Sequence, residues 1–294
     1  MTNQRWLESA TQFLTDEGHL TRSEAHLHAR LLLDGASGTR FSHLVAPEAT
    51  LEAAAQRKLQ DWLADAARGR PIPYILGKAP FFGREWAVDE RVLIPRPETE
   101  LLVETTLELL GDNWATRGAR VADLGTGSGI IAVSLKLERP DFEVFGLDIS
   151  KGALEIAARN AELHGAQVIF LRGAGDWIAP LKLFAPLKLF APFDAIVSNP
   201  PYIAAAEIAE LEVGVRDFEP KLAIDGGEDG LDPYRGIAAG AKSVLSRKGF
   251  VAVELGAGQF EPIRAIFEEK SWRVEAARRD LVGIERVLVA RLTH

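Results

Sequence analysis

Val121-Ala122-Asp123-Leu124-Gly125-Thr126-Gly127-Ser128-Gly129 constrains the fold of this chain more than any other stretch. It reads as a strand that runs into a glycine turn and then into a helix. Glycines let backbone come close to a ligand, and the unpaired N–H groups at a helix start suit an anionic group. From Ala119 onward the pattern keeps alternating. Strands are expected at Arg120–Leu124, Glu143–Leu147, Gln167–Leu171, Phe193–Ser198, Phe250–Glu254 and Glu285–Leu292, with helices such as Gly152–His164 and Tyr234–Leu245 between them. Such alternation predicts a mainly parallel sheet covered on both faces. The last strands, separated by the short Trp272–Asp280 segment, could pair antiparallel at one edge.

Residues 1 to about 76 carry only helical patterns. Leu27, Leu31 and Leu32 are expected on one helical face, and Leu59, Trp62, Leu63 and Ala66 on another. Thr21-Arg22-Ser23-Glu24 has the capping-box spacing. Thr50 or Pro47 should open a further helix that Gly69 ends. Gly69-Arg70-Pro71-Ile72-Pro73-Tyr74 then marks a break, and Phe81–Val88 resembles a short hairpin. Pro97 suits the first turn of the helix that follows, with Glu98 and Glu100 at its positive end. The expected division is a helical domain over 1–76, a hairpin linker over 77–95 and a catalytic domain over 96–294. At 294 residues, 47% apolar and 26% charged, the chain is long enough for two globular domains.

Composition narrows the chemistry. The net charge of −8 argues against a protein that grips nucleic acid by charge, and the 1–76 segment adds no basic patch. With no cysteine there are no disulfides, thiolate metal sites or Cys nucleophile. His26 and His28 sit two apart, on different faces of a helix, so no metal site is expected. The N-terminus lacks the apolar core of a signal peptide, and no run approaches a membrane span, so a cytoplasmic, soluble chain without membrane contact is expected.

The glycines at 125, 127 and 129, with Ile at 130, miss the Gly-x-Gly-x-x-Gly spacing of dinucleotide dehydrogenases. Asp123 followed by Gly-x-Gly-x-Gly instead resembles the loop of S-adenosylmethionine-dependent methyltransferases. Asp148 ends the next expected strand, where an acid accepts from ribose hydroxyls in either cofactor. Asp176 and Trp177 fall after the third strand, suited to an exocyclic amine and a base face. Cofactor-binding candidates are therefore Gly125, Thr126, Gly127, Ser128, Gly129, Asp148, Asp176, Trp177 and Asn199.

Phe193–Ser198 runs directly into Asn199-Pro200-Pro201-Tyr202. The prolines stiffen the loop and hold Asn199 extended. The Asn199 side-chain carbonyl and the Pro200 backbone carbonyl are expected to accept from one NH₂ group, with Tyr202 over the planar group. Asn199, Pro200 and Tyr202 are the catalytic candidates, and Asn199, Pro200, Pro201 and Tyr202 the substrate contacts. Paired acceptors orient a delocalised nitrogen and stabilise the positive charge that grows on it.

Together with Ile94-Pro95-Arg96-Pro97-Glu98-Thr99-Glu100, Phe218-Glu219-Pro220 and Gly226–Leu231, these motifs make the chain resemble the release factor glutamine methyltransferases, the PrmC/HemK family. The resemblance implies a Rossmann-like class I methyltransferase domain with a small all-helical N-terminal domain, S-adenosylmethionine as cofactor, and methylation of the Gln in the Gly-Gly-Gln motif of class I release factors. It implies release-factor docking by the N-terminal helices. A monomer with no nucleic-acid partner is expected. The alternative is an adenine-amino methyltransferase on DNA or RNA, which shares Asn-Pro-Pro-Tyr. A nicotinamide oxidoreductase and a non-catalytic adaptor fit the loop motifs less well. Glu98 and Glu219 could line the acceptor pocket, or simply serve a helix start and a turn. Ala179–Phe184 is repeated as Ala185–Phe190, which departs from the family pattern and is expected to lengthen a surface loop.

Overall fold

The computed structural model describes residues 1–111, 118–173, 175, 177–182 and 192–293. They fall into two compact units, Met1–Lys78 with Glu212–Phe218, and Ala79–Leu211 with Glu219–His294. Among the described residues no helix is long and apolar enough to cross a membrane.

The first unit opens with α1 (Asn3–Asp16), α2 (Arg22–Ser37), α3 (Ser42–Val45), α4 (Ala53–Ala67) and α5 (Ile72–Leu76). Thr21 and Glu24 cap α2 reciprocally, as the spacing predicts. Leu7, Leu14, Leu32, Leu33 and Leu59 meet in one core. Two details differ from the sequence reading. Leu27 is exposed, and the buried stripe of α2 runs through Ala25, Ala29, Leu32 and Leu33. Neither Pro47 nor Thr50 opens α4, which starts at Ala53 behind Glu52. The backbone from Pro47 to Leu51 pairs instead with the chain start: the Gln4 N–H donates to the Pro47 carbonyl, and the Leu51 N–H to that of Met1.

The hairpin β1 (Lys78–Phe81) and β2 (Arg84–Ala87) follows, and the second unit begins within it at Ala79. Phe82 and Gly83 both take positive φ, 47° and 71°, the twist a two-residue hairpin turn requires. Then comes α6 (Thr99–Leu110), capped at Glu98 with Glu100 in its first turn. Pro97 therefore lies outside the helix, because its carbonyl and that of Arg96 form the turn that receives the Glu100 and Thr99 N–H groups.

Next come β3 (Arg120–Leu124), α7 (Ile130–Glu138), β4 (Glu143–Asp148), α8 (Lys151–His164), β5 (Ile169–Arg172), α9 (Ala179–Lys182) and β6 (Phe193–Ser198). The helix α10 (Val213–Phe218) belongs to the first unit. The chain continues as α11 (Lys221–Ile224), α12 (Asp232–Gly240), β7 (Leu245–Glu254), α13 (Phe260–Glu269), β8 (Trp272–Val274), β9 (Arg278–Arg279) and β10 (Glu285–Leu292). Among the described residues the sheet has eight strands in the order β5-β4-β3-β6-β7-β10-β8, with β9 also on β10. β3 to β7 pair in parallel, and β10 is antiparallel to β7, β8 and β9. The fold is α/β with the expected antiparallel edge.

Two boundaries move. α12 ends at Gly240 and β7 starts at Leu245, where the sequence suggested helix. The Val244 carbonyl accepts the Phe193 N–H, which draws this segment into pairing with β6. Both faces of the sheet are covered. Val121, Ala195, Val197 and Ala252 pack on one side, and their neighbours Ala122, Leu124, Ile196, Val251 and Val253 on the other. Strands buried on both faces read as continuous apolar runs, which is why they were legible. Most of the duplicated hexapeptide, from residue 183 to 190, lies outside the described residues.

Candidate active site

Strand order reverses between β3, whose outer neighbours are β4 and β5, and β6, which leads the other way. Ligands in open α/β sheets bind at the carboxyl ends of strands beside such a reversal. Here it is flanked by the glycine turn after β3 and Asn199 after β6. The Ser198 hydroxyl donates to the Leu124 carbonyl at 2.6 Å, tying the two strand ends together. A cavity of about 650 Å³ opens there.

Backbone geometry shapes the glycine turn. Gly125, Gly127 and Gly129 hold φ of 68°, 54° and 81°, a region that side chains disfavour. The Thr126 N–H donates to the Leu147 carbonyl at 2.8 Å, and the Gly127 N–H to Asp148 Oδ2 at 2.9 Å. Asp148 Oδ1 accepts the Ser150 N–H at 2.8 Å. Burial raises the Asp148 carboxyl above its ordinary value, and the Ser150 and Gly127 N–H groups counter that. Behind the turn, Asp123 is fully buried and accepts the Thr126 hydroxyl at 2.6 Å. Desolvation pushes its carboxyl up to about 7. Buried Asn160 donates to the Ser128 carbonyl at 2.8 Å and pairs with both backbone groups of Ala87. The turn is thus held from β2, β4 and α8.

Asn199 is half-buried, and its Nδ2 donates to Thr99 Oγ1 at 3.0 Å. Tyr202 is also half-buried and packs on the sheet core; its carbonyl accepts from Gln259 Nε2 at 2.9 Å. Burial pushes the Tyr202 phenol up to about 12, so it is neutral and no base at ordinary pH. Trp177 packs across the glycine turn: a Cβ on Gly125 would lie 3.4 Å from its ring, and one on Gly236 only 2.7 Å.

Gly125, Thr126, Gly127, Ser128, Asp148, Trp177, Asn199 and Pro201 all line the cavity. Gly129, Pro200 and Tyr202 are not part of that lining. Gly129 sits against α8, where a Cβ would come within 3.0 Å of Ala157, and Pro200 is buried. Asp176 lies outside the described residues. Glu98 is 40% exposed and pairs with Arg286 at 3.7 Å. Glu219 is buried and pairs at 2.5 Å with Arg96, a cavity-lining residue. Sequence reasoning missed Thr99, Asn160 and Gln259 as supports. Thr99 alone carried a signal, its place within Ile94–Glu100. Among the described residues no group of three or more His, Asp or Glu converges to hold a metal ion.

The chain matches two family models, the PrmC N-terminal domain over residues 5–77 and the methyltransferase small domain over residues 98–215. Proteins named release factor glutamine methyltransferase are similar over nearly the whole chain. That of Bordetella pertussis is 42% identical over 274 residues, covering 93% of this chain and 96% of its own. That of Geobacter sulfurreducens is 39% identical over 275 residues, covering 91% and 90%. Among solved structures, a methyltransferase from Pyrococcus furiosus shares the fold at a TM-score of 0.50 and 17% identity, over 81% of this chain and 98% of that one. A human methyltransferase 10 domain containing protein does so at 0.51 and 16%, over 72% and 90%.

Proposed function

The chain belongs to the release factor glutamine methyltransferases, and from that premise we propose how it moves a methyl group from S-adenosylmethionine to the side-chain amide nitrogen of the glutamine in the Gly-Gly-Gln motif of a release factor. The observation that carries the reading is the meeting of Asp148, the glycine turn and Asn199 on one cavity.

The cavity residues fit the cofactor. The positive-φ glycines leave the turn without side chains, and each Asp148 oxygen, already holding one backbone N–H, keeps capacity to accept a ribose hydroxyl. Trp177 offers an aromatic face beside the turn. Gly125 to Gly129, Asp148, Asp176, Trp177 and Asn199 are the proposed cofactor contacts. S-adenosylmethionine supplies an electrophilic methyl on a sulfonium.

On the acceptor side, Asn199 turns its NH₂ toward Thr99, which leaves Oδ1 to accept from the glutamine NH₂. We assign the Pro200 carbonyl as the second acceptor, with Pro201 and Tyr202 beside the planar amide. Two acceptors aim the nitrogen lone pair and stabilise the charge growing on that nitrogen during transfer. Its proton becomes acidic only as the new N–C bond forms, so a pre-formed strong base is unnecessary.

Residues 1–76 are proposed to dock the release factor, 77–95 to link and 96–294 to catalyse, in a monomer working in the cytoplasm. The net charge of −8 supports a protein acceptor over a nucleic acid. The test is transfer of labelled methyl to three acceptors: a release factor, its variant with Gln replaced by Ala in the Gly-Gly-Gln motif, and duplex DNA. Label on the first alone is expected. Label on DNA, or undiminished label on the variant, would overturn the glutamine assignment.

A further inference from the structure

Glu254 ends β7, the strand next to the one that ends at Asn199. Its side chain is buried, and Oε2 has no hydrogen-bond partner among the described residues. It is not part of the cavity lining, and it reaches the site through its neighbours. The Thr99 hydroxyl lies within hydrogen-bonding reach of this carboxylate and favours its charged form. The same hydroxyl oxygen accepts Asn199 Nδ2 at 3.0 Å. Thr99 is itself buried, at the first position of α6, and its N–H is held by the Arg96 carbonyl at 3.1 Å.

A hydroxyl carries a single hydrogen. Given to Glu254, that hydrogen leaves Thr99 Oγ1 with only lone pairs for Asn199. The Asn199 amide must then turn its NH₂ inward and its oxygen outward. We propose that Thr99 and Glu254 are positioning residues for methyl transfer: ionised Glu254, acting through Thr99, selects the Asn199 orientation that offers Oδ1 to the acceptor nitrogen. The inference rests on the reading of Asn199 as that acceptor.

Protonation of Glu254 reverses the direction of the chain. A carboxylic acid O–H can donate to Thr99 Oγ1, whose hydrogen is then released toward Asn199. The amide turns over, Oδ1 faces Thr99, and the NH₂ faces the NH₂ of the acceptor, donor against donor. The charged groups facing Glu254 are Glu98, which favours its neutral form, and Arg286 and Arg96, which favour its charged form. The neutral phenols of Tyr202 and Tyr234 complete the surroundings, and the Tyr234 hydroxyl donates to the Glu254 backbone carbonyl. Burial is the largest influence and pushes the carboxyl up to about 7. Both states are therefore accessible at ordinary working pH. The active form is the carboxylate, so the rate should rise with pH through this range.

The test uses the full-length enzyme, S-adenosylmethionine at saturation and an intact release factor, with kcat followed from pH 5.5 to 9. Wild-type enzyme should show a limb rising near neutrality, and Glu254→Gln should lose that limb. Thr99→Val should lower kcat roughly 10- to 100-fold with cofactor Kd within about twofold, and Thr99→Ser should recover most of the rate. If Thr99→Val does not fold, the pH profiles of Glu254→Gln and the rate of Thr99→Ser decide. Persistence of the limb in Glu254→Gln, or a slow, well-folded Thr99→Ser, would overturn the inference. Asn199→Ala, measured alongside, separates the two readings. If it is slow while Thr99→Val is wild-type, only the positioning fails; if it is itself wild-type, the assignment of Asn199 fails.

Discussion

The Gly127 N–H donates to Asp148 Oδ2 at 2.9 Å, joining the turn after β3 to the end of β4 across the mouth of the cavity. One carboxylate thus shapes the turn and, in the proposed function, offers its remaining lone pairs to a ribose. Asp148→Ala removes both roles. Hydrogen bonds to charged groups are worth about 1.5–3 kcal/mol each, so cofactor affinity should fall by about one to two orders of magnitude. Calorimetric titration with S-adenosylmethionine checks this, and an unchanged Kd would remove Asp148 from the site.

Asn199→Ala takes away one of the two proposed hydrogen-bond acceptors for the substrate nitrogen while leaving most of the proposed cofactor contacts in place. Turnover should fall by about 10²–10³, the usual effect of losing one charge-stabilising group, with a smaller change in cofactor Kd. Single-turnover rates at saturating cofactor make the comparison. Near wild-type turnover would show that the paired-acceptor geometry is wrong.

Arg96 and buried Glu219 meet at 2.5 Å beside the cavity, and Glu219 Oε2 has no partner among the described residues. Arg96→Ala leaves a buried carboxylate without its counter-charge. The expected loss of stability is about 1–3 kcal/mol, below that of a fully buried pair because Arg96 keeps 31% exposure. Burial already raises the Glu219 carboxyl against the pull of Arg96, and the variant should raise it further. A raised acid binds its proton more readily folded than unfolded, so the penalty appears as pH rises through its folded value and shrinks at acid pH. Denaturant unfolding of Arg96→Ala at pH 5 and pH 8 tests this; an equal loss at both would contradict it. Glu219→Gln in the Arg96→Ala background should restore part of the stability at pH 8.

Deleting one copy of the repeated hexapeptide, Ala185–Phe190, should leave methyl transfer intact if the repeat is the lengthened loop that its sequence suggests, since loops tolerate changes of length at small entropic cost. Loss of activity in a variant with wild-type melting behaviour would point instead to a functional role for the repeat.

Much of this molecule could be read without coordinates, for a local reason. A strand, a glycine turn and a helix are specified by neighbouring residues, and Val121–Gly129 forms that unit as read. The capping box of Thr21 and Glu24 is likewise complete within four residues. Errors fell where distant backbone competes for a segment: Thr50 bridges to Thr2, and Leu245 pairs with Phe193. No periodicity within either segment reports such pairing.

The sequence by itself determined the α/β alternation, the glycine turn, Asp148 at the end of the next strand, and Asn199-Pro200-Pro201-Tyr202, because each is specified by residues that neighbour one another along the chain. Only the tertiary structure decided what holds those groups. Asn199 meets Thr99 from 100 residues away, Glu219 meets Arg96 from 123, and Ala87 meets Asn160 from 73. In a linear chain such residues look like ordinary polar side chains at element ends, free to be solvated. Folding removes the water, and a buried polar group must then find its partner inside the protein. That requirement sets buried Thr99, unremarked in the linear chain, against Asn199 at the end of β6.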